Sequence, residues 1–487
     1  MQLSLARPTR RHDAQRVGSQ PASRLTLGVC LAALTIAATL GVTLGLSLPV
    51  WAGQPAGPGG SGAAGLGWPG LLVPLGFALV LCGPYRPYVL ALHAAGQQRL
   101  SPRVVVALTV LVAGAGLLIY PRFGSDLFDY VGYERLWAVY HQNPLVAPMN
   151  SQPSDWSYAF VWFRDRAPAY GPLWTLVTWP LVLVAGDSPA AAVAAYKLFS
   201  LACYLATCGL IWHAVEPARR PRALMLFAWS PLVVFEVLGK VHNDGLAAVS
   251  VVLAVLLAGR GQGGLGIVAG AAGGLIKATA GVIAPVLLLA EWRAGRRWAC
   301  ALGLSLAAAL SLAAYWPFWA GPQTLQTLVQ QTGRLVWSPG TLLILAGSGL
   351  PAGPYDTLVR AALALTCAAA CALVLGRRAD SIAARATRGA QVLLLALLLL
   401  TTAFYAHYLV PVVALVAVSG DARLERLVTA LSIGSLAAYS VELVGLAAGP
   451  GWNGSAGYQV LGSAVTLAPA VFVLRTDLTA RLAGRRR

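Results

Sequence analysis

Apolar runs recur along the chain from residue 25 to residue 474, separated by short polar connections. Many approach the roughly 20 residues that a helix needs to cross a bilayer. A soluble helix carries an apolar stripe and a polar face; these runs are apolar all round. They predict an all-α polytopic membrane protein, a helical bundle of about 14 transmembrane helices. The first expected span, residues 25–46, exceeds the roughly 7–15 apolar residues of a secretory leader and is read as uncleaved. A Gly/Pro/Ser-rich linker at 54–67 leads to spans at 68–82 and 104–120. Residues 173–186, interrupted by Pro180, are expected at the interface, and 191–215 to cross. The remaining spans are expected at 223–238, 245–259, 264–276, 278–289, 299–318, 358–375, 391–404, 408–418, 427–446 and 458–474.

Composition narrows the class. Of 487 residues 57% are hydrophobic and 11% charged, against about 25% charged in soluble domains, which excludes a soluble chain. The formal charge of +18 could suggest a nucleic-acid partner, but the basic residues sit at the ends of apolar runs, as the positive-inside rule demands. No nucleic acid is expected. The arginine groups at 219–222, 260, 293–297, 377–388, 423–426 and 475–487 then share the cytoplasmic face with tail 1–24. The longest polar stretch, 121–170, falls outside and holds five of the 17 acidic residues. This divides the chain into tail 1–24, an N-terminal transmembrane hairpin 25–103, a core 104–318 that includes the outer loop, a C-terminal transmembrane region 319–474 and a basic tail 475–487. All seven cysteines lie in apolar segments without metal-ligand spacing.

Polar groups are costly in lipid and mark candidate chemistry. Asp126 and Asp129, three residues apart at the mouth of the third span, share a face if helical. A carboxylate there can act as a general base, and the mutual repulsion of the pair raises one pKa; the competing reading is a helix N-cap by Ser125 or Asp126. Lys240, His242, Asn243 and Asp244 form a compact polar group between two spans, either an ordinary turn or a site for an anionic head group and a sugar hydroxyl. Lys277 stands alone between two apolar half-segments and needs a partner, such as a phosphate, or a route to the interface. Arg334 is a second candidate phosphate ligand. Tyr405 and His407 lie in a polar interruption before Pro411, as ligand contacts or as part of the interfacial aromatic belt. Tyr170 opens a tight Tyr-Gly-Pro-Leu turn.

Ser125-Asp-Leu-Phe-Asp-Tyr130, then Arg135, Asn143-Pro144 and Tyr170-Gly-Pro-Leu173, together resemble the first outer loop of the integral-membrane GT-C glycosyltransferases. The likeness is greatest to bacterial polyprenyl-phosphate-mannose-dependent α-mannosyltransferases and to glycosyltransferase family 87. It covers roughly residues 104–411, with Leu145 where the family carries Tyr and His407 where Trp is common. The resemblance implies a cell-membrane enzyme with a catalytic first outer loop and an active site on the extracytoplasmic face. Such an enzyme moves a hexose, mannose by this likeness, from a polyprenyl-phosphate donor to a glycan or glycolipid acceptor with inversion. Asp126 would be the base, with Asp244 matching the acidic position of the second outer loop. Lys277, Arg334 and Lys240 would receive the phosphate. No metal or cofactor is expected, because side chains can balance a single phosphate. A multi-pass transporter or flippase is the alternative; it predicts inverted repeats, and no fixed-period repeat is evident.

Overall fold

The computed structural model describes residues 72–96, 101–119, 121, 126–326, 334–347, 352–376, 381–448, 451–452 and 455–484. The expected first span, the 54–67 linker, Ser125, tail 1–24 and the end of the basic tail lie outside the described residues. The chain is an all-α polytopic membrane protein. Among the described residues there is no strand, and one isolated bridge pairs Val336 with Ala403.

Seven described helices are long and apolar enough to cross a membrane: Pro74–Gly96, Pro189–Ala214, Arg297–Phe318, Gly353–Leu375, Ile382–Leu399, Ala422–Val444 and Ala456–Ala480. An eighth candidate is the pair Pro217–Ala228 and Pro231–Gly239, bent by 50°. Five apolar helices are shorter: Pro102–Leu118, Pro172–Ala185, Asp244–Gly259, Gly263–Ile276 and Ala406–Ser419. The expected span at 68–82 in fact runs on to Gly96 through helices Leu72–Cys82 and Tyr85–Gly96, which puts Arg86 within a candidate span rather than in a loop. Helix starts follow local chemistry: Pro occupies the first turn at Pro102, Pro172 and Pro189, where its missing N–H costs nothing. Gly186 at φ 58° and Gly420 at φ 67° end helices in the positive-φ conformations that glycine tolerates.

Helix Arg297–Tyr315 reports the lipid directly. Trp298 is 79% exposed and Trp316 83%, one near each end, about 27 Å apart at 1.5 Å rise per residue. That separation is close to the hydrocarbon thickness, and tryptophan concentrates at its borders. By contrast, every residue of Val410–Ser419 is buried, so this short helix forms the axis of the main core. A second, smaller cluster gathers the loop helix Leu127–Ala138 with Pro172–Ala185, Pro189–Ala214, Val241 and Ile276. The candidate site lies at the seam between these two cores.

Candidate functional site

Asp126 occupies the N-cap position of helix Leu127–Ala138 but makes no side-chain capping hydrogen bond. Its carboxylate turns away, with Oδ2 3.5 Å from His242 Nδ1 and the side chain 22% exposed. The capping alternative is therefore not what this side chain does. Tyr130, one turn on, brings its hydroxyl within 3.4 Å of the same Oδ2 and accepts the backbone N–H of Asn243 at 3.0 Å. Asp129 diverges: it is buried, and its Oδ1 accepts from Trp162 N at 2.6 Å.

The two carboxyls titrate in opposite directions. Burial alone would raise Asp126, but the nearby His242, 3.5 Å away, and the charge of Lys277 bring it down to about 2. Asp129 is pushed well above the ordinary carboxylate range by burial and by the charge of Asp126. The expected like-charge effect is present, and it falls on Asp129 rather than on the candidate base.

Several features fix the loop that carries them. Arg135 pairs with Asp155 and with Asp187, each at 2.7 Å, and Tyr140 donates to Asp155 at 2.9 Å. Asn143 Nδ2 donates to Phe318 O at 2.6 Å, tying the Asn-Pro motif to the end of helix Arg297–Tyr315. Tyr170 stacks edge-on against Tyr130 with centroids 4.7 Å apart. The next residue, Gly171, donates to Ile276 O at 3.0 Å, and a Cβ there would overlap the carbonyl of Leu275. Only glycine lets the loop sit this close to the strand of backbone that leads into Lys277.

Lys277 interrupts the helix that Gly263–Ile276 begins, with extended backbone at φ −151°. Its ammonium lies at a helix C-terminus, where the macrodipole favours a cation, and faces Asp244, at a helix N-terminus, where it favours an anion. They meet at 2.5 Å, with Asn243 Oδ1 3.4 Å away and the Tyr408 ring 4.3 Å below. Lys240 is more deeply held: it is 2% exposed, 4.0 Å from Glu236 Oε2 and 3.6 Å over the Tyr439 ring. His407 stacks on His242 at 3.9 Å and 19°, and Tyr405 stacks on His407 at 5.4 Å. The bridge of Val336 to Ala403 brings Arg334 near Tyr405, while its guanidinium covers the Phe163 ring of the loop at 4.4 Å. Apart from Asp129, which faces Trp162, the sequence-predicted site residues fall in one group, with Lys240 at its buried floor and Arg334 at its rim.

One residue of the group escaped the sequence reading. Glu236 lies within an expected apolar span, has no exposed side-chain surface, and sits 3.2 Å from His242 Nε2. An ionisable group inside such a run was signal enough. Lys197, buried, donates to the carbonyls of Ile119, Leu238 and Gly239 and so locks two helix ends beneath the site.

Asp126, His242 and His407 could each offer a ligand atom within 4.8 Å of one another. Because the imidazoles stack face to face, their in-plane lone pairs run side by side instead of converging on one ion. The chemistry this group can perform is therefore read from its own acids, imidazoles and ammonium groups: proton transfer at Asp126, and attraction of an anion to Lys277.

Comparison with known proteins places the chain in a family. Residues 25–293 match the family model described as alpha-(1->6)-mannopyranosyltransferase, N-terminal domain. The match takes in Asp126, Asp129, Tyr170, the Lys240–Asp244 group and Lys277, and ends before Arg334 and His407. The chain is also 28% identical over 218 residues to alpha-(1->6)-mannopyranosyltransferase A of Mycobacterium tuberculosis (strain ATCC 25618 / H37Rv), covering 42% of this chain and 41% of that protein. The similarity thus spans less than half the length of the curated relative.

Proposed function

The chain belongs to this alpha-(1->6)-mannopyranosyltransferase family, and from that premise we propose that it transfers mannose from a polyprenyl-phosphate donor to a glycan or glycolipid acceptor. The site would open to the extracytoplasmic face, with loop 121–170 on that side. Asp126 removes the acceptor hydroxyl proton; that oxygen bonds to the anomeric carbon as the carbon–oxygen bond to phosphate breaks, and the bonding pair leaves on polyprenyl phosphate. A single displacement inverts the anomeric centre, so an α-linked product requires a β-linked donor. The leaving phosphate gains charge as the bond breaks, and a cation beside it stabilises the transition state more than the ground state. Lys277 takes that role, sharing itself between Asp244 and the phosphate, with Arg334 closing over the donor from the rim. Lys240 acts from below by fixing Glu236 and the turn that carries His242.

The observation that carries this reading is the placement of Asp126 against His242 with the charge of Lys277 acting on it, in a chain of this family. The test is purified protein in vesicles with radiolabelled polyprenyl-phosphate mannose and a short α-mannoside. Formation of an α-1,6-linked product with release of polyprenyl phosphate is expected. Labelled donor that only redistributes between leaflets would replace the transferase reading with the transport one.

A further inference from the structure

Resting on the transferase reading, we infer that Glu236 and His242 are positioning residues for Asp126. Glu236 fixes His242 as an imidazolium, and His242 holds Asp126 Oδ2 so that Oδ1 is presented to the acceptor hydroxyl. The imidazole of His242 is fully buried between two carboxylates. Its Nδ1 lies 3.5 Å from Asp126 and its Nε2 3.2 Å from Glu236. With one oxygen of Asp126 engaged, the other is left for the substrate.

The backbone is built to put the ring there. Val234–Gly239 is a π-helical turn, a widened geometry that recurs at functional sites, and it carries Glu236 on the inner side. The N–H of His242 then donates to the Glu236 carbonyl at 3.0 Å. Between them Val241 sits at φ 63°, buried. A β-branched residue in that region is strained and persists only where its surroundings impose it. This turn brings Lys240 and His242 to the same carboxylate oxygen, Glu236 Oε2, at 4.0 and 3.2 Å.

The charged groups around His242 sort themselves. Asp126 and Glu236 flank it and favour its protonated form; His407 stacks on it; Lys240 lies beyond Glu236, and Asp244 with Lys277 on the far side of His407. Two stacked imidazolium cations would repel, so only one ring carries the charge; His407 lies 4.0 Å from both Glu236 and Asp244, whereas His242 lies closer to its two carboxylates, at 3.5 and 3.2 Å, and is that one. Burial disfavours the charge on His242, while Asp126 and Glu236 outweigh it and raise its pKa.

The test uses full-length protein in lipid nanodiscs with selectively 15N-labelled histidine, the His242 signal assigned by its loss in His242→Gln. His242 should stay protonated above the pH at which free imidazole titrates. In Glu236→Gln its titration should move down by about one unit or more, the signature of a lost charge partner. The high-pH limb of kcat should move with it, with donor KM within about threefold and partial recovery in Glu236→Asp. A His242 titration unchanged by Glu236→Gln overturns the inference, as does a Glu236→Gln enzyme with wild-type kcat and pH profile. If the titration moves as stated but wild-type protein transfers no sugar, the carboxylate–imidazole–carboxylate arrangement stands and the transferase reading fails.

Discussion

At Asp126 burial and charge pull in opposite directions, and charge wins. A carboxyl held at about 2 contributes stability above its unfolded value of about 3.9 and loses it as pH falls through 2. His242, raised by its two carboxylate neighbours, contributes below its unfolded value of about 6.5 and loses that contribution as pH rises through the raised value. The pair therefore supports the fold most between roughly pH 4 and 6.5, and thermal melts of wild type against His242→Gln across that range should show the difference shrinking on both sides. Asp129 has the opposite sign: burial and the Asp126 charge raise it, so its contribution is present at low pH and falls as pH rises. Asp129→Asn, which keeps the acceptor for Trp162 N, should gain a few degrees in Tm at pH 7 and little at pH 4, with turnover within about threefold of wild type. At Lys277 the partner matters. Lys277→Met leaves Asp244 buried and unpaired, a loss of about 3–5 kcal/mol; adding Asp244→Asn should restore the folded yield but leave donor KM raised at least about tenfold.

At the scale of elements the site depends on two breaks. Gly171 lets the loop dock on the Leu275–Ile276 backbone, and Gly171→Ala should push it off, seen as faster proteolysis within 121–170 and loss of transfer. The second break is the π turn and the strained Val241, which no apolar pattern forecasts because periodicity records burial, not one extra residue in a helical turn. This is why Glu236 was read past: it looked like one polar letter in an apolar run. Asp126, Asp244 and Lys277 were legible because each stands at a junction between polar and apolar sequence, where a charge needs a reason. Their pairing was not legible, since residues 126, 244 and 277 meet only after the bundle closes. The division of labour between Asp126 and Asp129 was equally hidden, as it turns on which carboxyl faces His242 and which faces Trp162.

On the whole molecule, the all-α membrane class followed from hydropathy alone, while boundaries shifted wherever a proline or glycine broke a helix without ending its span, as at residues 83–84. Orientation is open to direct measurement. Asp165, 63% exposed in the loop, is a suitable reporter. In a cysteine-free background Asp165→Cys should react with an impermeant maleimide from the extracytoplasmic side, and labelling from the cytoplasmic side alone would invert the arrangement. On the proposed mechanism the carboxylate at the head of the loop helix takes the acceptor proton while cations gather the phosphate. This is tested most directly by single-turnover transfer from radiolabelled polyprenyl-phosphate mannose in Asp126→Asn. Donor binding within about threefold of wild type and transfer slowed by at least about 100-fold are predicted; transfer at the wild-type rate would contradict it.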